Sequence, residues 1–329
     1  MRPVELPVKV NDKTRERPTY EMATYYMMYP HEIISYLYKS GLEIDKKAVQ
    51  HFWRTSRSNG EQWALFSKAS ESHVPLGFYG DGATMILKYG KQESVIGLFM
   101  NLVLWRPKTV RCSRFLLFTI EEARLWKFHS LNIVLRQIVW SFNLLYSGLH
   151  PAVGMRGEQL PPDMMRLANT PICENRDVFT VTEIRGDWSW MKKILRMRAS
   201  WQGRSTCHLC SAKSTRPYSD RYYNFESASW DVQPFEYSLA QFLNVEMPTE
   251  GICPLIALIN FSPGVLRWCI MHVVHLGILY VCNGACLKML LDLGYFTPKE
   301  EKMSHKLAVA YRTHMARMLG LMERAPRFL

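Results

Sequence analysis

The sequence predicts a mixed α/β protein, and its order of apolar runs and helical periods carries that expectation. VPLGFYGDGA (from Val74), SVIGLFMNLVLW (Ser94 to Trp105) and SRFLLFTI (Ser113 to Ile120) are successive β-prone runs, the last two parted by the basic turn RPKTVRC. The next stretch, EEARLWKFHSLNIVLRQIVWSFNLLYSGL, places apolar residues at helical spacing and meets its stop at Gly148 and Pro151. A further strand candidate, VFTVTEIRGDW, alternates Val178, Thr180, Thr182 and Ile184 before Gly186 and Asp187.

Around this core the pattern is helical. From Tyr20 to about Ser70, HEIISYLYKSGL sets Ile33, Ile34, Leu37 and Tyr38 on one face and KKAVQHFW adds a second amphipathic piece, so residues 1–72 read as a helical lead-in. Residues 73–200 then hold the strands and the long helix, with a basic helical piece from Trp190 to Trp201. Residues 201–329 read as a mainly helical insertion, ending in stretches Val265 to Leu293 and Lys299 to Glu323. The chain shows neither an internal repeat nor a low-complexity tract.

Composition narrows the partners. Of 329 residues, 41 are Lys or Arg and 29 Asp or Glu, a net charge of +12 that favours a polyanion. The opening MRPVELPVKVNDKTRERP lacks the apolar stretch of a secretory signal, and eight cysteines, two of them in Cys-x-x-Cys, suit reduced thiols and a metal better than bridges. A nuclear or cytoplasmic, non-secreted protein is expected. The apolar stretch Trp268 to Cys286 has the length of a membrane span, but His272, His275 and Asn283 within it argue for a buried helix and against membrane association.

Several groups could carry chemistry. Asp81 in Gly80-Asp81-Gly82 and Asp187 after Gly186 each close a strand candidate beside a glycine that lets another group approach the backbone; such carboxylates suit Mg²⁺ or Mn²⁺ ligation, although Gly-Asp is also ordinary turn chemistry. Cys207 and Cys210 in CHLC have the spacing of half a tetrahedral Zn²⁺ site. Cys269, His272 and His275 in WCIMHVVHLG, about one helical turn apart, are the candidates to complete it, with a satisfied core histidine as the plain alternative for His275. Arg106, Lys108, Arg111 and Arg114 fill the turn between the second and third strands, and Lys192, Lys193, Arg196 and Arg198 follow Asp187. Trp188 and Trp190 interleave with these cations, a composition that fits phosphates and stacked bases; a solvated helix face with core tryptophans fits it as well.

In this order, a strand with GDG, two more strands, a helix, a strand ending in GDW, then CHLC and CIMH, the chain resembles the RNase H-like catalytic domain of eukaryotic cut-and-paste DDE/D transposases, specifically the CACTA-related and KDZ/Plavaka-type groups. The likeness spans roughly Val74 to Leu291 and includes the run His275-Leu276-Gly277. It implies an RNase H-like core with a zinc-binding insertion, Asp81 and Asp187 as the first two catalytic acids, Cys207, Cys210, Cys269 and His272 as the family's Cys/His elements, and DNA as substrate and partner. The implied chemistry is Mg²⁺- or Mn²⁺-dependent phosphodiester cleavage and strand transfer; a homo-oligomer is compatible with it. Glu323 is the sole acid in the last stretch that could serve as the third carboxylate, so the resemblance implies a truncated or degenerate core. The alternative from a different class is a catalytically inactive, zinc-stabilised DNA- or protein-binding module.

Overall fold

The structure, a computed structural model, describes residues 1–10, 19–86, 92–105, 107, 113–197, 239, 242–243, 251–268 and 279–293. Met1–Trp268 and Cys269–Leu329 are separate compact units. The first opens with strands β1 (Arg2–Val10) and β2 (Thr19–Met27), then helices α1 (Pro30–Lys39), α2 (Lys46–Ser58) and the short α3 (Gln62–Leu65). Strands β3 (Val74–Ile86), β4 (Gln92–Leu102) and β5 (Arg114–Glu121) precede helix α4 (His129–Ser147) and the short α5 (Pro162–Met165). Strand β6 (Phe179–Gly186), helix α6 (Trp188–Leu195) and the short strand β7 (Leu266–Trp268) complete the unit. In the second unit the described helix is α7 (Tyr280–Asp292), held locally by a Lys288–Asp292 pair at 2.7 Å.

The mixed α/β class holds, built on a five-stranded sheet in the order β5-β4-β3-β6-β7. The β3–β4 and β4–β5 pairs are antiparallel; β3–β6 and β6–β7 are parallel. The helix after β5 supplies the crossover that a parallel return requires. Its end is dictated locally, because Gly148 takes the left-handed conformation (φ 73°) that a helix C-cap favours and its N–H bonds the Leu144 carbonyl.

Three expectations about elements are corrected. The lead-in does not begin as helix: Arg2 to Met27 is an antiparallel hairpin, paired from Arg2↔Met27 to Val10↔Thr19. Its first strand buries Val4, Leu6 and Val8 on one side, an alternation obscured in the sequence by Pro3 and Pro7. Nor does β3 stop at Gly80-Asp81-Gly82; the strand continues to Ile86, and beyond Tyr79 it pairs with β4 alone. Finally, Leu266 to Trp268 is a strand beside β6 rather than the start of a helix. Among the described residues no helix is long and apolar enough to cross a membrane.

One sheet face carries the core. Val74, Leu76 and Phe78 of β3 and Leu98, Met100 and Leu102 of β4 are buried with Val134, Leu135, Ile138 and Phe142 of α4, and the Phe78 and Phe142 rings meet edge to face at 6.1 Å. At the junction of α1 and α4, His31 is wholly buried, with its backbone N–H and Nδ1 at 3.0 and 2.7 Å from Ser141 Oγ.

Burial, with smaller contributions from His150 and Arg2, holds His31 at a pKa of about 3 against an ordinary 6.5. The unfolded chain therefore takes up this proton at higher pH than the folded one. Stability is complete above about pH 6.5 and is lost as pH falls from there towards 3. Urea unfolding is expected to lose up to about 2 kcal/mol between roughly pH 6.5 and 5, a slope that His31→Gln flattens. An unchanged slope in that variant would assign the acid sensitivity elsewhere.

Candidate functional site

The residues around Asp81 follow from strand alternation. Val74, Leu76 and Phe78 of β3 face the core; Gly77, Tyr79 and Asp81 face the other way. Register extends this second face across the sheet. Asn101, Phe99 and Gly97 of β4 stand opposite Gly77, Tyr79 and Asp81, Arg114 of β5 opposite Asn101, and Glu183 and Arg185 of β6 opposite Gly77 and Tyr79.

Asp81 and Asp187 stand at the same count past the last β3–β6 rung. That rung is Tyr79↔Arg185; Asp81 lies two residues further along β3, and Asp187 two residues further along the chain, just past the end of β6 at Gly186. Gly80 and Gly186 come between, and both glycines lie under one indole. A Cβ at Gly80 would fall 2.0 Å from Trp190 ring carbons, and one at Gly186 2.4 Å from the same ring.

Both carboxylates also have local partners. Tyr79 donates its hydroxyl hydrogen to Asp81 Oδ2 at 2.6 Å, and among the described residues Asp81 has no other hydrogen-bond partner. Arg114 packs over the Tyr79 ring at 5.5 Å, so β5 bears on the Asp81 position through the tyrosine. Asp187 is the N-cap of α6, its Oδ1 accepting from the Trp190 backbone N–H at 2.6 Å. Two residues before Asp187, Arg185 bonds Glu183 Oε2 at 2.5 Å; Glu183 Oε1 is buried without a hydrogen-bond partner among the described residues.

Tyr79, Glu183 and Arg185 were not singled out from sequence; Arg114 was, as one of the cations between the second and third strands. The available signal was the odd–even pattern of β3 and β6, which assigns Tyr79 and Arg185 to the aspartate face once the strands are paired. Arg114 had a sequence signal of charge alone, because its contact is with an aromatic ring two strands away.

Other expected site residues divide into groups. Trp190 is 4% exposed and packs on Phe78 at 6.1 Å; it is a core residue, which corrects its reading as a base-stacking one. Arg196 is also committed within the chain: its guanidinium lies 4.3 Å over the Phe128 ring and bonds Asn132 Oδ1 and the Gly251 carbonyl. Lys192 and Lys193 are exposed, Lys193 pairing with Glu122 and holding that carboxyl below its usual range. Trp188 is the first residue of α6. Arg106, Lys108, Arg111, Arg198, Glu323 and the thiols and imidazoles of Cys207, Cys210, Cys269, His272 and His275 lie outside the described residues. Among the described residues no group of three His, Cys, Asp or Glu is placed to hold a metal ion. Compared with protein-family models, with curated proteins and with solved structures, the chain matches none.

Proposed function

We propose that this chain is the RNase H-like core of a transposase-derived DNA-handling protein of the DDE/D type. What supports the reading is the register of the neighbouring parallel strands β3 and β6, after whose last rung Asp81 and Asp187 each follow by two residues. An RNase H-like site needs acids from its first and fourth strands side by side, and the sheet order β5-β4-β3-β6-β7 has the first and fourth strands of the sheet as neighbours. The net charge of +12 favours a phosphodiester substrate.

Asp81 and Asp187 would hold Mg²⁺ or Mn²⁺, and the bound ions would activate an attacking oxygen and stabilise the leaving one. The chain's own residues do the rest. Tyr79 fixes the Asp81 carboxylate by its hydrogen bond, and Arg114 fixes Tyr79. Arg185, adjacent on the same face and nearly half exposed, can meet a non-bridging phosphate oxygen. In the family pattern the Zn²⁺ set of Cys207, Cys210, Cys269 and His272, with His275 beside it, would anchor the insertion.

Incubating the full chain with supercoiled plasmid and Mg²⁺ or Mn²⁺ is expected to give nicked circles, and excess chelator is expected to abolish them. Nicking that persists in chelator contradicts the two-metal reading. A second reading, a zinc-stabilised DNA- or protein-binding module without chemistry, draws on the structural duties of both acids, since Asp187 caps a helix and Asp81 is tied to Tyr79. Under it, DNA binding survives loss of both acids and no metal dependence of nicking is found.

A further inference from the structure

Between the N-terminal turns of α4 and the outer side of α6 runs a cleft of about 800 Å³. Its floor is apolar: Phe128 is part-exposed, with Arg196 over its ring, and Leu131, Leu135 and Met197 are buried at its base. Lys127 and Lys192 stand exposed at its margin and have no ion pair among the described residues. Glu122, the one acid on the lining among the described residues, is already paired to Lys193. The cleft therefore offers unneutralised positive charge above an apolar surface, and few ligands match both.

We propose that this cleft takes unpaired nucleotides of a single-stranded nucleic acid, phosphates on Lys127 and Lys192 and bases against the apolar floor. A duplex would satisfy the lysines but keeps its bases stacked inside, leaving the floor without a partner; an unpaired base supplies a flat apolar body joined to a phosphate. Position agrees with this. Lys192 lies five residues beyond Asp187 on the helix that Asp187 caps, about 7.5 Å along its axis. A strand engaged at the carboxylates would thus reach the cleft within roughly two nucleotides at 3.4 Å per step. This placement rests on the nuclease reading, whereas the ligand class rests on the cleft alone.

The test is an anisotropy titration of the full chain with a labelled oligothymidylate in buffer without added Mg²⁺ or Mn²⁺, so that cutting plays no part. Lys127→Glu combined with Lys192→Glu is expected to weaken binding at least about tenfold. It should also make the slope of log affinity against log salt shallower by about 1.4, two phosphate contacts at 0.7 each. The milder Lys127→Gln, Lys192→Gln pair, checked by circular dichroism, gives the same direction should the charge reversal disturb folding. An abasic strand of equal length is expected to bind more weakly than oligothymidylate. Equal binding of the abasic strand, equal competition by polyglutamate, tighter binding of a duplex, or unchanged affinity in both lysine pairs overturns the proposal. Cleft-dependent binding by a chain that never nicks DNA removes the nuclease reading and leaves this one standing.

Discussion

Trp190→Ala is expected to cost about 3–5 kcal/mol. The indole is 4% exposed, contacts Phe78, and fills the space above Gly80 and Gly186 at once. It therefore joins β3, β6 and α6 with a single side chain. Both glycines are required by it: an alanine at Gly80 would set its Cβ 2.0 Å from ring carbons, and a ring wedged against Phe78 has little freedom to yield. Gly80→Ala is expected to destabilise by about 1–3 kcal/mol alone and by much less in the Trp190→Ala background, a coupling of about 1 kcal/mol or more. Urea melts of the two single variants and the double variant measure this. Additive losses would mean that Trp190 does not hold the glycine rung.

Asp187→Asn should separate structure from chemistry. Asparagine caps a helix about as well as aspartate, so α6 keeps its first turn and stability changes by less than about 0.5 kcal/mol. The negative charge that a divalent cation needs is lost. If the carboxylates hold the ions, the several kcal/mol of metal-assisted stabilisation falls away, and Mg²⁺-dependent nicking drops at least about a hundredfold. Asp81→Asn is expected to behave alike. Nicking rates read beside melting curves decide the matter: unchanged rates in both asparagine variants would assign the two acids to capping and local order alone.

The alternation in VFTVTEIRG and the helical period after Glu121 were legible because each is a local property; β6 stands near its expected limits, whereas α4 begins only at His129, after a 3₁₀ turn at Glu122–Arg124, and ends at Ser147. The N-terminal hairpin was hidden by its prolines, whose turn-forming habit outweighed the Val4-Leu6-Val8 pattern. Asp81 and Asp187 could be picked from sequence as two Gly-Asp pairs. The purpose of their glycines could not: they admit the indole of Trp190, a contact that exists only after β3 and β6 have paired and α6 has folded back. Trp190 stayed ambiguous for the same reason, as an aromatic among lysines looks alike whether it points to solvent or to the sheet. Tyr79 and Arg114 depend on strand order and face, which a single sequence does not print.

The slip in register between β3 and β6 sets the phase of the two acids. Leu76 stands opposite Val181 but Gly77 opposite Glu183, leaving Thr182 as the odd residue. Had the pairing of Val74 with Phe179 run on unbroken, Asp81 would share its rung with Gly186, and Asp187 would fall one pleat away. The extra residue works like a vernier, converting strand length into alignment at the far end. If the two acids work as proposed, a chain that gains or loses a single residue between Gly77 and Gly186 would keep both of them in its sequence and still be out of tune, its activity lost through spacing with no acid replaced.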